Sequence, residues 1–529
     1  MRSTPKTTTP RRLLLKMDAL LMPILVISYG LQYYDKAILG SASLFGILKD
    51  LDLATPLPNG KTSLTRYSTA TSAFYWGYIM GVLPLALLLQ RMRLNLFLGG
   101  AVLLWGAIAI LTPVVQNYHG LVAQRFFLGA VESAVSPGFV LVTRMWYVRD
   151  EHPVRLGICS ATGLFSIFSG LVNYGIGKAA SKPSSGIAAW KAMYLFAGGL
   201  TMFFGIIVLL ILPPSPQRDA LLKIPGFNKF TLSEKAEFAR RTRADQNLIK
   251  TSNPISDEKD KEDEATHGDA DDATTNTGSD SVAGANQRAW SKAQVIEALS
   301  DYKIYIYFLQ ATALYITNGG VTAFGPLILK SFGYTPLRSI ILQTPAGATT
   351  AVGIYITTYL ARKTKHTLHA LLALSCLPTL AGAIMIWKSD WSNRATPLAG
   401  FYLLSIFGAP FVLVLSSATA NVKGSTKQSI TSGAIFLGYN VGNIAAPYLV
   451  KAPQAPQHYR DCFLSIIICM CITIVLSAIL AVGMHLQNAA RDREQQDALA
   501  QQAPGEKQEL AAHDDDLTDW QDRRFRYTL

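Results

Sequence analysis

Arg125 and Glu132 stand seven residues apart inside the apolar run 120–138. A guanidinium keeps its charge at any physiological pH, whereas a carboxylate loses its charge when it takes a proton. At 3.6 residues per turn this spacing brings the two back to within roughly 20° of one helix face, about 10 Å apart along the axis. Both are therefore expected to line one cavity. A charge at membrane depth costs about 2.5 kcal/mol or more, so the pair reads first as a site for a solute or a proton. An ion pair that only locks helix packing is the competing explanation.

A second pair, Asp35 and Lys36, is adjacent in the first apolar run. A helix from Met17 to Leu48 would be roughly 48 Å long and would hold Asp35 nearer its middle than its end. Sequence neighbours diverge by about 100° around a helix, so these two cannot simply neutralise each other and one at least needs another partner. Were the helix to stop at Leu39, both would snorkel to an interface.

The elements that must hold these groups are membrane helices. Half of the 529 residues are hydrophobic, and mean hydropathy is +0.24 despite a polar middle and tail. Apolar runs long enough to cross a hydrocarbon core of about 30 Å recur near 18–47, 66–89, 94–115, 118–147, 154–177 and 191–212, then near 302–330, 337–361, 367–388, 396–420, 427–450 and 462–486. The expected fold is an all-α membrane protein of twelve transmembrane helices in two six-helix halves, 18–212 and 301–486, with a site between them near the midplane. Residues 1–17 form an N-terminal tail, 213–300 a linker and 487–529 a C-terminal tail.

The net charge of +13 resides largely in short loops, where Lys and Arg orient helices. Nucleic-acid binding is excluded on that ground, and the lipid bilayer is the partner the charge serves. Arg91, Arg93, Arg144, Arg149, Arg155, Arg362, Lys363 and Lys365 place their loops, and both termini, in the cytosol, in a multi-pass protein of the plasma membrane or an organelle. In the linker, Arg218 to Arg243 is basic and suited to an interfacial helix on anionic headgroups, while 251–284 has almost nothing to bury and reads as a solvated tether. The tail from Gln487 reads likewise, leaving Trp520, Phe525 and Tyr527 without a role. Five cysteines in or beside apolar runs form no disulfide framework or metal site.

Two later helices are interrupted by small and amide residues, at 316–320 and 438–443. Lipid could not satisfy such groups, so Asn318, Tyr439, Asn440 and Asn443 are expected at a wet cavity or another helix. Close packing is the better account of Gly433, Gly438 and Gly442. Tyr75 and Tyr78 in the second run are further candidates for solute contact. No Gly-x-Ser-x-Gly elbow, phosphate loop or His-Glu-x-x-His motif is present, so no enzyme, cofactor or ATP-driven pump is expected, and an ion gradient remains as the energy source.

The chain resembles the major facilitator superfamily, and within it the anion:cation symporters and their fungal allantoate-permease branch. The resemblance rests on Leu31-Gln-Tyr-Tyr-Asp-Lys36, Arg125-Phe-Phe-Leu-Gly-Ala-Val-Glu132 through Pro137-Gly138, Met145-Trp-Tyr147 with Glu151-His-Pro153, Asn318-Gly-Gly320 through Phe332-Gly333, and Thr426-Lys-Gln-Ser429 through Asn443. It implies proton-coupled uptake of a small organic anion, a carboxylate or vitamin-like solute, by a monomer. It also implies Asp35 and Glu132 as the protonatable carboxylates, Arg125 as the anion-pairing arginine and Lys36 as the cation after the first-helix aspartate. Many relatives have arginine at that last position, and a lysine is a point charge and not a planar fork. The segment Leu89-Gln-Arg-Met-Arg-Leu-Asn95 departs from the family's usual loop, and Gly157 to Gly170 lacks the Gly-Pro element of drug:proton antiporters. A non-transporting nutrient receptor and a proton-coupled metabolite exporter of the same fold are the alternatives.

Overall fold

The computed structural model describes residues 11–58, 60–147, 165–180, 186–225, 227–238, 240, 291–364, 367–501 and 516–529. Helix α1 (Arg11–Ala42) starts earlier than expected and stops short of Leu48. The chain turns there through Gly46, whose φ of 103° is open to glycine at little cost. Helices α2 (Thr65–Arg91) and α3 (Leu94–Ile110) follow. Asn117 caps α4 (Tyr118–Glu132), its side chain accepting from the Gly120 N–H at 2.8 Å.

The fourth crossing is broken just where the chemistry lies. Pro137 lacks an N–H and crowds the carbonyl four residues back, so the helix ends at Glu132 and resumes as α5 (Val135–Trp146). Helices α6 (Phe165–Ala180) and α7 (Ala189–Ile211) complete the first half. A short lead-in helix, α8 (Lys292–Ser300), opens the second. It is followed by α9 (Tyr302–Ser331), α10 (Pro336–Lys363), α11 (Leu368–Lys388), a broken crossing α12 (Ala395–Leu404) and α13 (Gly408–Asn421), α14 (Ser425–Leu449) and α15 (Arg460–Gln501). This is the expected set of twelve crossings in two groups of six.

The helices approach closely where side chains are absent. A Cβ on Gly77 would strike the Phe126 carbonyl oxygen, and one on Gly129 the Phe74 oxygen, so α2 and α4 are in backbone contact. Gly438 and Gly442 seat α14 against the Phe308 and Thr312 oxygens of α9 in the same way. Gly433 does not share that role, because nothing lies within 4 Å of where its Cβ would be.

The two halves meet through α1 with α9, α2 with α14 and α6 with α10. Successive crossings alternate direction, so the start of α2 and the ends of α9 and α14 share the face opposite the chain termini. Four hydrogen bonds between the halves lie there, and a fifth, from Ser166 of α6 to the Thr344 carbonyl of α10 at 3.2 Å, lies deeper. Tyr67 donates to the Ala323 carbonyl at 2.7 Å, Ser68 to Pro447 at 2.7 Å, Ser72 to Ile444 at 2.8 Å and Tyr448 to the Thr69 hydroxyl at 3.1 Å.

Two segments outside the crossings dock on protein. Phe230 and Phe238 pack on Trp146 at 5.4 and 5.5 Å between ring centroids, and Lys16 pairs with Glu234 at 2.9 Å. The first part of the linker thus covers the first half, where a helix on lipid headgroups was expected. Residues 251–284 of the tether, Cys159, and the motif residues 151–153 and 157–163 lie outside the described residues. At the other end α15 runs beyond Leu486, and 516–529 returns to cover the second half, which corrects the reading of a solvated tail.

Candidate functional site

Four ionisable side chains from α1 and α4 converge in the first half. Asp35 is 3% exposed, Arg125 2% and Glu132 0%, while the Lys36 side chain is 19% exposed. The divergence of neighbours around α1 sends Asp35 and Lys36 to different partners, as the spacing requires. The Lys36 ammonium meets Glu132 Oε1 at 2.7 Å. Asp35 Oδ2 instead accepts from the Trp105 indole of α3 at 2.9 Å and lies within the electrostatic reach of Arg125. Arg125 donates to the Tyr194 hydroxyl of α7 at 2.8 Å. Gln32 holds the broken end of α4, donating to the Glu132 carbonyl at 3.4 Å.

This arrangement corrects the expectation of one cavity lined by Arg125 and Glu132. Both are sealed by protein, each against a different polar partner, and Lys36 is the group of the four that reaches an opening. The seal is polar rather than hydrocarbon, and it leaves bonding capacity unspent. Among the described residues Asp35 Oδ1 and Arg125 Nε have no hydrogen-bond partner, and neither Glu132 oxygen has one beyond the ion pair with Lys36. Each such group costs on the order of 1–3 kcal/mol if left unmet.

The tyrosines and amides fall into two sets. Tyr75, Tyr78 and Tyr439 surround Lys36 closely enough to interact with its charge. Tyr78 is bonded to the Ser136 hydroxyl at 3.2 Å, and Tyr75 faces Tyr439 across the two halves, 6.2 Å between centroids. The amides are mostly engaged internally. Asn318 donates to Asn443 Oδ1 at 2.9 Å and accepts from Thr322, while Asn443 donates to the Tyr439 carbonyl at 2.9 Å, so this pair ties α9 to α14. Asn440 donates to the Phe436 carbonyl at 2.8 Å, yet its buried Oδ1 has no hydrogen-bond partner among the described residues.

Trp105 and Tyr194 were not singled out from the sequence, nor was Tyr315, whose ring stands 4.2 Å from that of Tyr439. An indole or phenol in an apolar run is common enough to carry no signal alone. The usable clue was chemical: buried Asp35 and Arg125 each demand a partner of the right polarity, and aromatic residues with N–H or O–H groups supply it.

Two groups of six helices with a buried charged cluster between α1 and α4 are the architecture of a membrane-embedded carrier. The chain belongs to the Major Facilitator Superfamily, whose sequence signature matches residues 25–447. It is 30% identical to an uncharacterised transporter of Schizosaccharomyces pombe, covering 98% of this chain and 87% of that protein. It is 28% identical to the allantoate permease of Saccharomyces cerevisiae, covering 98% and 86%. Among solved structures, a bacterial homologue of the human lysosomal transporter Spinster, inward-facing and occupied, shares the fold with a TM-score of 0.58 at 12% identity, over 90% of this chain and 97% of that one.

Proposed function

We propose that this transporter carries a small organic anion together with a proton, by alternating access, with both termini in the cytosol of a cell whose plasma membrane it spans. The observation that carries the reading is the 2.7 Å pair between a partly exposed Lys36 and a wholly buried Glu132. The pair makes Glu132 an internal competitor for the cation a substrate carboxylate needs. A proton on Glu132 removes the competitor and frees Lys36 for the anion, so neither ligand is well received without the other. Asp35 and Arg125 form the fixed background of the site, held by Trp105 and Tyr194. The contacts that close the face opposite the termini support entry to Lys36 from the cytosolic side.

The test is uptake into proteoliposomes with an imposed pH gradient, using labelled allantoate first, since a relative is named for it, and then a panel of small carboxylates. Accumulation should follow the inward proton gradient. Glu132→Gln should keep exchange of bound solute but lose the response to the gradient, and Arg125→Ala should lower uptake about tenfold or more, the equivalent of about 1.4 kcal/mol. Accumulation indifferent to the gradient, or unimpaired in both variants, would end the proposal.

A further inference from the structure

The two halves contribute unlike chemistry to the space around Lys36. The first half supplies the charges Asp35, Lys36, Arg125 and Glu132. The groups that the second half brings to the same place are rings, Tyr439 with Tyr315 beside it. Tyr75 of α2 meets Tyr439 of α14 at 6.2 Å between centroids, Tyr439 meets Tyr315 of α9 at 4.2 Å, and Tyr315 meets Phe411 of α13 at 4.6 Å. This file of rings crosses from one half to the other. At its first-half end Phe74 packs on Tyr75 at 5.1 Å, and the Lys36 ammonium stands 5.4 Å from the Phe74 centroid.

Two consequences follow for whatever binds. The first concerns charge. Arg125 is buried and bound to Tyr194, so Lys36 is the cation a solute can touch directly. With Glu132 protonated, Asp35 and Arg125 offset each other and Lys36 is left with one positive charge, which one carboxylate cancels. A second carboxylate would meet aromatic rings, an uncompensated charge in a low-dielectric site. The second concerns shape. Aromatic faces and edges are met best by a flat body that can stack or sit edge-on, with centroids about 4.5–7 Å apart.

Resting on the proton-coupled reading above, we propose that the solute is a flat, singly charged organic anion taken up with one proton, its charged group on Lys36 and its planar body along the Tyr75, Tyr439 and Tyr315 rings. The site then passes from empty to loaded without change in net charge. Tyr439 is the residue that sets the preference for flatness, since it contacts rings of both halves.

Permanently ionised probes separate this from weak-acid effects. Benzenesulfonate, cyclohexanesulfonate and benzene-1,3-disulfonate would be titrated into the purified full-length protein by calorimetry in two buffers of different ionisation enthalpy, which reads both affinity and protons taken up. The expected result is benzenesulfonate binding at least tenfold tighter than either other probe, with one proton gained per anion. Tyr439→Phe should keep the preference. Tyr439→Leu should erase the advantage over cyclohexanesulfonate while proton uptake stays at one. Equal or tighter binding of the disulfonate or the puckered ring, proton uptake near two, or no binding of benzenesulfonate would overturn the inference. Tight, selective binding with no proton gained would instead overturn the coupling proposed above, so the two failures are distinct.

Discussion

At the scale of single residues the site depends on buried polar groups having partners of the right sign. Trp105 is fully buried and gives Asp35 a hydrogen bond at 2.9 Å. Trp105→Phe keeps the ring and removes the donor, leaving a carboxylate oxygen unmet at a cost of about 1–3 kcal/mol. The expected outcome is a lowered thermal-unfolding midpoint in detergent together with slower uptake in proteoliposomes, and a variant indistinguishable from wild type in both would show that the indole has no bearing on Asp35. The pairs Arg125 with Glu132 and Asp35 with Lys36 were legible in the sequence because charges are rare in apolar runs. Their actual partners were not, because helix periodicity fixes a direction around one helix and says nothing about which neighbour stands there. Adjacent Asp35 and Lys36 show the limit well: geometry required two separate partners, and only the packed structure shows these to be Trp105 and Glu132.

At the scale of elements, the segment 516–529 shows how far composition can mislead. Read alone it is a polar tail with stray aromatics. Folded, it packs against the ends of α8, α9, α13, α14 and α15. Asp519 bridges Lys303 and Lys427, all three fully buried. Tyr527 donates to Asp519 at 2.8 Å, Arg491 donates to the Phe525 and Asp519 carbonyls, and Asn421 donates to the Thr528 carbonyl at 3.0 Å. The aromatics are the apolar part of the same contact, with Lys427 4.8 Å from the Trp520 ring and Phe525 packed on Tyr527. Such an assembly is not encoded in any window of sequence, since Lys303 and Lys427 lie more than 90 residues from Asp519. Asp519→Asn removes the carboxylate that ties this segment to Lys303 and Lys427; both lysines keep Asp301, and Lys427 also keeps Glu297, so the loss is on the order of 1–3 kcal/mol. Limited proteolysis should then cut the segment in the variant at a protease level that spares wild type, and equal resistance would refute the role given to Asp519. Burial pushes the Asp519 carboxyl up, but Lys303 and Lys427 outweigh it and hold it below the ordinary carboxylate range. A carboxyl depressed on folding gives stability that is complete above its unfolded value and is lost only as pH falls through the lower folded value. The segment should therefore stay docked from neutral pH down to about 4, and Trp520 fluorescence followed across that range should be flat; a transition between pH 7 and 5 would contradict the assignment.

At the scale of the whole molecule, the twelve crossings and their division into halves were legible because hydrocarbon thickness sets segment length and backbone satisfaction forces helices. The state of the carrier was not legible, because both states of an alternating-access protein satisfy the same pattern of apolar runs. Which face the described residues close is read from the contacts between the halves. Tyr67, Ser68 and Ser72 form successive contacts along the first turns of α2, and their acceptors are carbonyls of Ala323, Pro447 and Ile444 near the far ends of α9 and α14. Three of the four bonds across this seam pair a side-chain hydroxyl with a main-chain oxygen, each with a net worth of about 0.5–1.5 kcal/mol. A seam of that strength holds one state in preference to the other and still permits exchange, as rocking of the halves requires. A covalent bridge across it should not. In a chain relieved of its five native cysteines, Thr69→Cys with Tyr448→Cys joins positions whose side chains now touch at 3.1 Å. Linking them with a short reducible bis-thiosulfonate reagent should abolish transport in proteoliposomes, and a reductant should restore it, while either single variant treated alike keeps its activity. Linked protein that still transports would mean that the face opposite the termini does not have to open, and the two halves would then not rock about the charged cluster.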